Sequence, residues 1–165
     1  MGRKVTFSLN PNSIGKAIED VGVYREHLEA KRHLLMDVIV ARGVQIAKEE
    51  LEELVYSLPG EQYRTRDLIN SLQGKYYPET GTGVIWTDNP YAIFVEFGTG
   101  VVGGGEPHPE AGEHGWQYGD KGWVYYNDRV DRHLFTFGYR SRPFMYNTVK
   151  RLEAEVPKIV KEVFG

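Results

Sequence analysis

Residues 24–56, YREHLEAKRHLLMDVIVARGVQIAKEELEELVY, decide the fold. The stretch holds no proline and a single glycine, Gly43. Leu28, Leu35, Ile39, Val44, Ala47, Leu51, Leu54, Val55 and, just beyond it, Leu58 recur at helical spacing. In its second half Lys48, Glu49, Glu50, Glu52 and Glu53 fill the opposite face. Such a helix is on the order of 50 Å long, more than a small domain is wide. Its middle, residues 34–41, is apolar on nearly every side, interrupted only by Asp37. Two coverings fit that excess: a sheet and a second helix of the same chain, or another subunit.

Outward from this helix the signals are short. Ser57-Leu58-Pro59-Gly60 stops it. Upstream, Val5, Phe7 and Leu9 alternate with polar residues and predict a strand over 4–9. Residues 10–13 form a turn rich in helix-capping types, and a short helix is expected over 14–20, ended at Gly22. Downstream, Thr65 caps a helical piece over 65–72. Residues 75–77 and 83–87 flank the turn 78–81 and predict a hairpin. In residues 89–98, Asn89, Pro90 and Gly98 favour a short helix, while the alternation of Ile93, Val95 and Phe97 favours a strand; the helix is preferred. Residues 98–122 hold nine glycines, two prolines and two histidines and read as a long loop. Residues 123–126 and 133–137 are strand-like around a polar turn. A closing helix opens near Ser141 and Pro143, with Phe144, Met145, Thr148, Val149, Leu152 and Val156 as its apolar face. Pro157 is expected to interrupt it before a last piece over 158–164.

The whole is predicted to be one α+β domain over residues 1–165. A small antiparallel sheet packs against one long helix in the N-terminal half and a C-terminal helix, with 98–122 as an extended loop insertion. A chain of 165 residues buries about 68–70% of its unfolded surface and needs no metal or disulfide staple. It has no cysteine, which excludes disulfide scaffolds, cysteine zinc sites and thiol nucleophiles. With 20 Lys+Arg against 23 Asp+Glu, the net charge of −3 argues against broad electrostatic binding to nucleic acid or anionic membrane. No apolar run approaches the ~20 residues that span a bilayer. The first residues lack the apolar core of a signal peptide, so a cytoplasmic site of synthesis is expected.

Candidate chemistry is sparse. His108, Glu110, Glu113 and His114 offer two imidazoles and two carboxylates, the inventory of a metal-dependent hydrolase. Their spacing is not that of a helical His-Glu-x-x-His pair, and a solvated polar loop reads better. Gly98, Gly100 and Gly103 fit a bare dinucleotide spacing, but no helix follows to receive an anion. No nucleophile–base pair is apparent. Glu96 lies in an apolar run, so it sits at a solvent edge or beside a cation, with Arg140 and Arg142 as the expected cations. Tyr139, Arg140, Arg142 and Phe144 combine arginine with aromatics. That suits a partner protein, a small nucleic-acid-binding module, or an anchor that fixes the helix on the sheet.

Three blocks in order carry a family likeness: a long amphipathic helix followed by TRDLINSL over 65–72, YAIFVEFGTG over 91–100, and RSRPFM over 140–145 opening a terminal helix. Together they resemble the gene-ten product tail-component family of long-tailed bacteriophages, over roughly residues 14–163. In the first block Thr65 and Leu68 match the family's Thr-Gly-x-Leu pattern, with Arg66 where glycine is usual. The second block matches best, and Ser141, Arg142, Pro143 and Phe144 match the third. The loop over 101–120 is longer and richer in Gly and His than the family shows.

The resemblance implies a non-enzymatic virion protein of the neck or tail-completion class, joining head to tail, without cofactor or metal. It implies a cyclic homo-oligomer, six- or twelve-fold, between a portal-side adaptor and a tail-terminator or tail-tube protein. DNA would pass through the lumen without sequence-specific binding, and the protein would be made in a bacterial host's cytoplasm. The residues it implies for fold and subunit contact are Tyr91, Glu96, Phe97, Gly98, Thr99, Arg140, Arg142, Pro143 and Phe144. The loop is expected to reach a neighbour and to order on assembly.

Overall fold

The computed structural model describes residues 10–58, 65–128 and 130–165. The expected strand over 4–9 lies outside them. α1 (Pro11–Leu51) is one unbroken helix of 41 residues, about 60 Å long. The Asn10 side chain caps it by accepting from the Ser13 N–H at 2.8 Å, and Pro11 takes the first position. The break expected at Gly22 is absent. A glycine costs a helix interior only about 1 kcal/mol, and no proline follows Pro11 before Pro59. α1 runs directly into a π-helical turn, Glu52–Tyr56, which ends the rod.

α2 (Asp67–Asn70) is a single turn within the expected helical piece. β1 (Gln73–Tyr77) and β2 (Thr82–Trp86) then form the predicted antiparallel hairpin, with Tyr76 opposite Gly83. This hairpin lies on the middle of α1. Gly74 faces Val40 and Val44, Gly83 faces Val40 and Met36, and any Cβ there would crowd those side chains. α3 (Ala92–Phe97) resolves the helix-or-strand ambiguity in favour of helix. α4 (Gly100–Gly105) is a short helix inside the expected loop. β3 (Trp123–Asn127) and β4 (Arg132–Thr136) form a second antiparallel hairpin, and β5 (Gly138–Tyr139) bridges back to Thr99 and Gly100. The β structure is therefore two separate two-stranded sheets, only the first packed on α1.

α5 (Phe144–Phe164) runs antiparallel along α1 for most of its own length. Pro157 sits inside it without ending it, contrary to expectation. Proline removes one donor, to the carbonyl four residues back; both Pro157 and Glu153 are on the exposed side, where water can take that carbonyl. The core gathers where the C-terminal part of α1, α2 and the start of α5 meet: Ala47, Leu51, Val55, Tyr56, Leu68, Ile69, Leu72 and Phe144. Beside it Arg42 grips Glu155 at 2.6 and 2.8 Å and Glu49 at 3.0 Å. Arg151 reaches Glu49 at 2.6 Å and Glu50 at 2.7 Å. These arginines hold the Glu49 and Glu155 carboxyls below their ordinary values, Arg42 foremost in each case.

Candidate functional site

The second and third sequence blocks pack directly on each other. α3 ends at Gly98, whose φ of 74° is open to glycine and strained for other residues. A Cβ there would stand 2.5 Å from the Ser141 amide and 2.7 Å from the Tyr139 carbonyl. The chain over 95–100 thus lies backbone to backbone against 137–142. Arg142 N–H donates to the Val95 carbonyl at 2.9 Å, and the Ser141 hydroxyl donates to the Glu96 carbonyl at 2.6 Å. The Thr99 hydroxyl accepts from Tyr139 N–H at 3.2 Å.

At the centre is Glu96, 8% exposed. Its carboxylate accepts from Met145 N–H at 2.9 Å, Tyr146 N–H at 3.0 Å and His108 Nε2 at 3.0 Å. Met145 and Tyr146 stand in the first turn of α5, whose amides have no partner within the helix. Pro143, at the capping position, supplies no side-chain acceptor. Glu96 therefore caps α5 from another element and places an anion at its positive end. His108 Nδ1 accepts from Glu110 N–H at 3.0 Å, which assigns the ring proton to Nε2, facing Glu96. Phe97 covers the imidazole at 4.4 Å between ring centres and stacks on Trp116 at 5.1 Å.

This arrangement corrects the partner expected for Glu96. Arg140 faces Glu106 at 3.4 Å on the surface, and the Glu96 carboxylate meets a helix terminus and a histidine. One local signal could have found it: proline at the start of a long helix leaves amides that need an acceptor from elsewhere.

The loop is held against the end of α3 within the subunit. Trp116 Nε1 donates to the Gly98 carbonyl at 3.2 Å and Tyr118 OH to the Phe97 carbonyl at 2.9 Å, while His108 and Ala111 are buried. Aromatic anchors replace the aliphatic core that the loop lacks. Of the candidate metal ligands, His108 has both ring nitrogens engaged by the protein, and His114 approaches Glu110 only at 3.7 Å on the surface. Glu113 is exposed, and among the described residues no three His, Asp or Glu side chains converge on one point.

Beside the clasp lies a groove of about 480 Å³. Tyr56, from the π-helical turn after α1, Tyr91 and Phe94, from α3 and the turn before it, and Trp123 and Tyr125, from β3, form its walls. Among the described residues, Arg140 and Arg142 are its charged lining residues. Of the residues implied by the family likeness, Tyr91 and Arg140 are exposed here. Glu96, Gly98 and Phe144 are buried in the subunit, and Phe97, Thr99, Arg142 and Pro143 are half-buried.

Two further surfaces are apolar and open. From residue 11 to 30 no position of α1 is buried, and Ile14, Ile18, Val21 and Leu28 are all exposed. α5 ends beside Lys31, whose ammonium lies 5.6 Å from the Phe164 ring, so the first half of α1 projects beyond its partner helix. The second hairpin presents Val124 and its cross-strand neighbour Phe135, each 59% exposed, on its outer face. No helix of the described chain is long and apolar enough to cross a membrane. No family model, curated protein or solved structure matches the chain.

Proposed function

We propose that this protein is a structural, ring-forming subunit of a phage head–tail junction, of the neck or tail-completion class, without chemistry of its own. One observation supports the assembly: apolar surface is left open on two different elements, the projecting half of α1 and the outer face of the second hairpin. Contiguous apolar surface beyond a few hundred Å² marks a contact with a partner. Contacts that join one of these surfaces to the other run head to tail, and such contacts close into rings when the rotation permits. The position in the virion rests on the resemblance. The net charge of −3 suits a lumen through which DNA passes without sticking.

The test is light scattering and electron microscopy of the purified full chain, and microscopy of the phage particle that carries it. The expected result is a closed ring of six or twelve copies, and the same ring between head and tail. A monomer at every concentration, or a protein absent from the particle, would overturn the reading.

A further inference from the structure

α5 covers one face of α1 over only part of its length. It meets α1 through Arg42, Glu49 and Glu50, and a Cβ on Gly43 would stand 3.1 Å from Leu152. Its last helical residue, Phe164, lies beside Lys31. At about 100° per residue, Ile14, Ala17, Val21, Tyr24 and Leu28 turn onto the same face as those contacts. Where α5 is present this face is closed, as at Ile46; beyond Lys31 the side chains of Ile14, Val21, Tyr24 and Leu28 are exposed. Asp20 borders the open stripe on one side, and Arg25, paired with Glu29, borders it on the other. The face that α5 occupies thus continues, unoccupied, for about 30 Å. Twenty residues of helix with two glycines, Gly15 and Gly22, have little stability of their own, and packing of an apolar face supplies it.

We propose that this stripe pairs with the same stripe of a second copy, the two helices antiparallel about a two-fold axis near residue 20. Size points to the second copy. Among the described residues, 11–30 is the one helical stretch of twenty residues without a buried position, so a second copy brings a helix that matches the open length. Direction follows from α5. Two parallel rods would carry both α5 helices on their facing sides from Lys31 onward, between axes only about 8–10 Å apart, and a helix is about 10–12 Å thick. An antiparallel partner instead begins where α5 stops and continues its course. Its amide end then faces the carbonyl end of α5, and those ends are of opposite sign.

The pairing goes beyond the ring reading and does not depend on it. It puts a two-fold contact at α1 in place of a head-to-tail one. If the second hairpin also meets its own copy, the two contacts alternate and close with an even number of subunits, six and twelve included.

The chain has no cysteine, so a single introduced thiol carries one nitroxide per copy. Asn12→Cys, Glu19→Cys and Ala30→Cys place it at exposed positions on the side of α1 away from the stripe. Distances between labels on different copies are read by double electron–electron resonance on the full chain. The distance is expected to be shortest at 19 and about 10 Å longer at 12 and 30, because each residue away from the axis adds about 3 Å along it. Equal distances at the three positions would mean a parallel pair, and an absence of any distance a monomer; either overturns the proposal. Rings seen by microscopy without the minimum at 19 overturn the pairing and leave the ring reading standing. The minimum in a protein that forms no ring leaves the pairing and removes the ring.

A second measurement separates the two sides of the helix. Val21 is in the stripe and Val23 on the far side, and both are exposed, so neither variant disturbs the subunit's core. Val21→Asp is expected to raise the dissociation constant of the pair by about tenfold or more, and Val23→Asp to leave it within about twofold. Equal effects, or no effect of Val21→Asp, place the contact elsewhere and overturn the proposal.

Discussion

At the residue scale, Glu96 carries more of the fold than any catalytic assignment would give it. Its carboxylate serves two helix amides and one imidazole from within the subunit. Removing it leaves those donors without their acceptor in a largely dry site, so Glu96→Ala is expected to cost about 3 kcal/mol or more. Glu96→Gln keeps one acceptor but turns an amino group toward the remaining donors, and is expected to cost about 1–2 kcal/mol. Urea denaturation midpoints of the two variants check this order; a smaller loss in the alanine variant would refute the capping role. Gly98→Ala combines a strained φ with contact against the Tyr139 and Ser141 backbone. Its expected cost is about 3 kcal/mol or more, read from the same denaturation curves.

At the scale of elements, the α1–α5 pairing is where charge and packing act together. Glu49 and Glu155 are held below the ordinary value of 4.5 by Arg42, with Arg151 adding to the effect. A carboxylate whose folded pKa is depressed stabilises the fold fully above its unfolded pKa. That contribution is lost as pH falls through the lower folded value. The urea midpoint is therefore expected to stay flat above about pH 5.5 and to fall on acidification below 4.5. In Arg42→Met the acid decline should flatten. An unchanged decline in that variant would assign it to other carboxylates.

For the molecule as a whole, the surfaces left open should matter little to the single subunit and much to its assembly. No position from 11 to 30 is buried, so the pair Ile18→Asp/Val21→Asp is expected to change subunit stability by less than about 1 kcal/mol. The same pair is expected to abolish the oligomer seen by light scattering. Equal loss of both would mean that the stripe belongs to the subunit's own core. The second hairpin is a two-stranded sheet with little support, and such a hairpin is marginal in water. Its amides are expected to exchange with solvent quickly in the dissociated subunit and slowly in the assembly.

The amino-acid sequence by itself determined the α+β class, the central part of the long helix, the C-terminal helix and the two hairpins, while α4 lay within the stretch it read as a loop. Apolar periodicity and turn chemistry act over a few residues and need no distant partner. Local signals misplaced the helix ends at Gly22 and Pro157, because a single glycine costs a helix interior only about 1 kcal/mol and a solvent-facing proline leaves a carbonyl that water can take. The partner of Glu96 was illegible for another reason. Its acceptor bonds go to residues 49 and 50 positions later in the chain, and only folding brings those amides to it. The loop's order came from Trp116 and Tyr118 meeting the carbonyls of α3, another contact across the chain. Tertiary structure decided which groups face each other, because burial and hydrogen bonding are settled between elements and not along them.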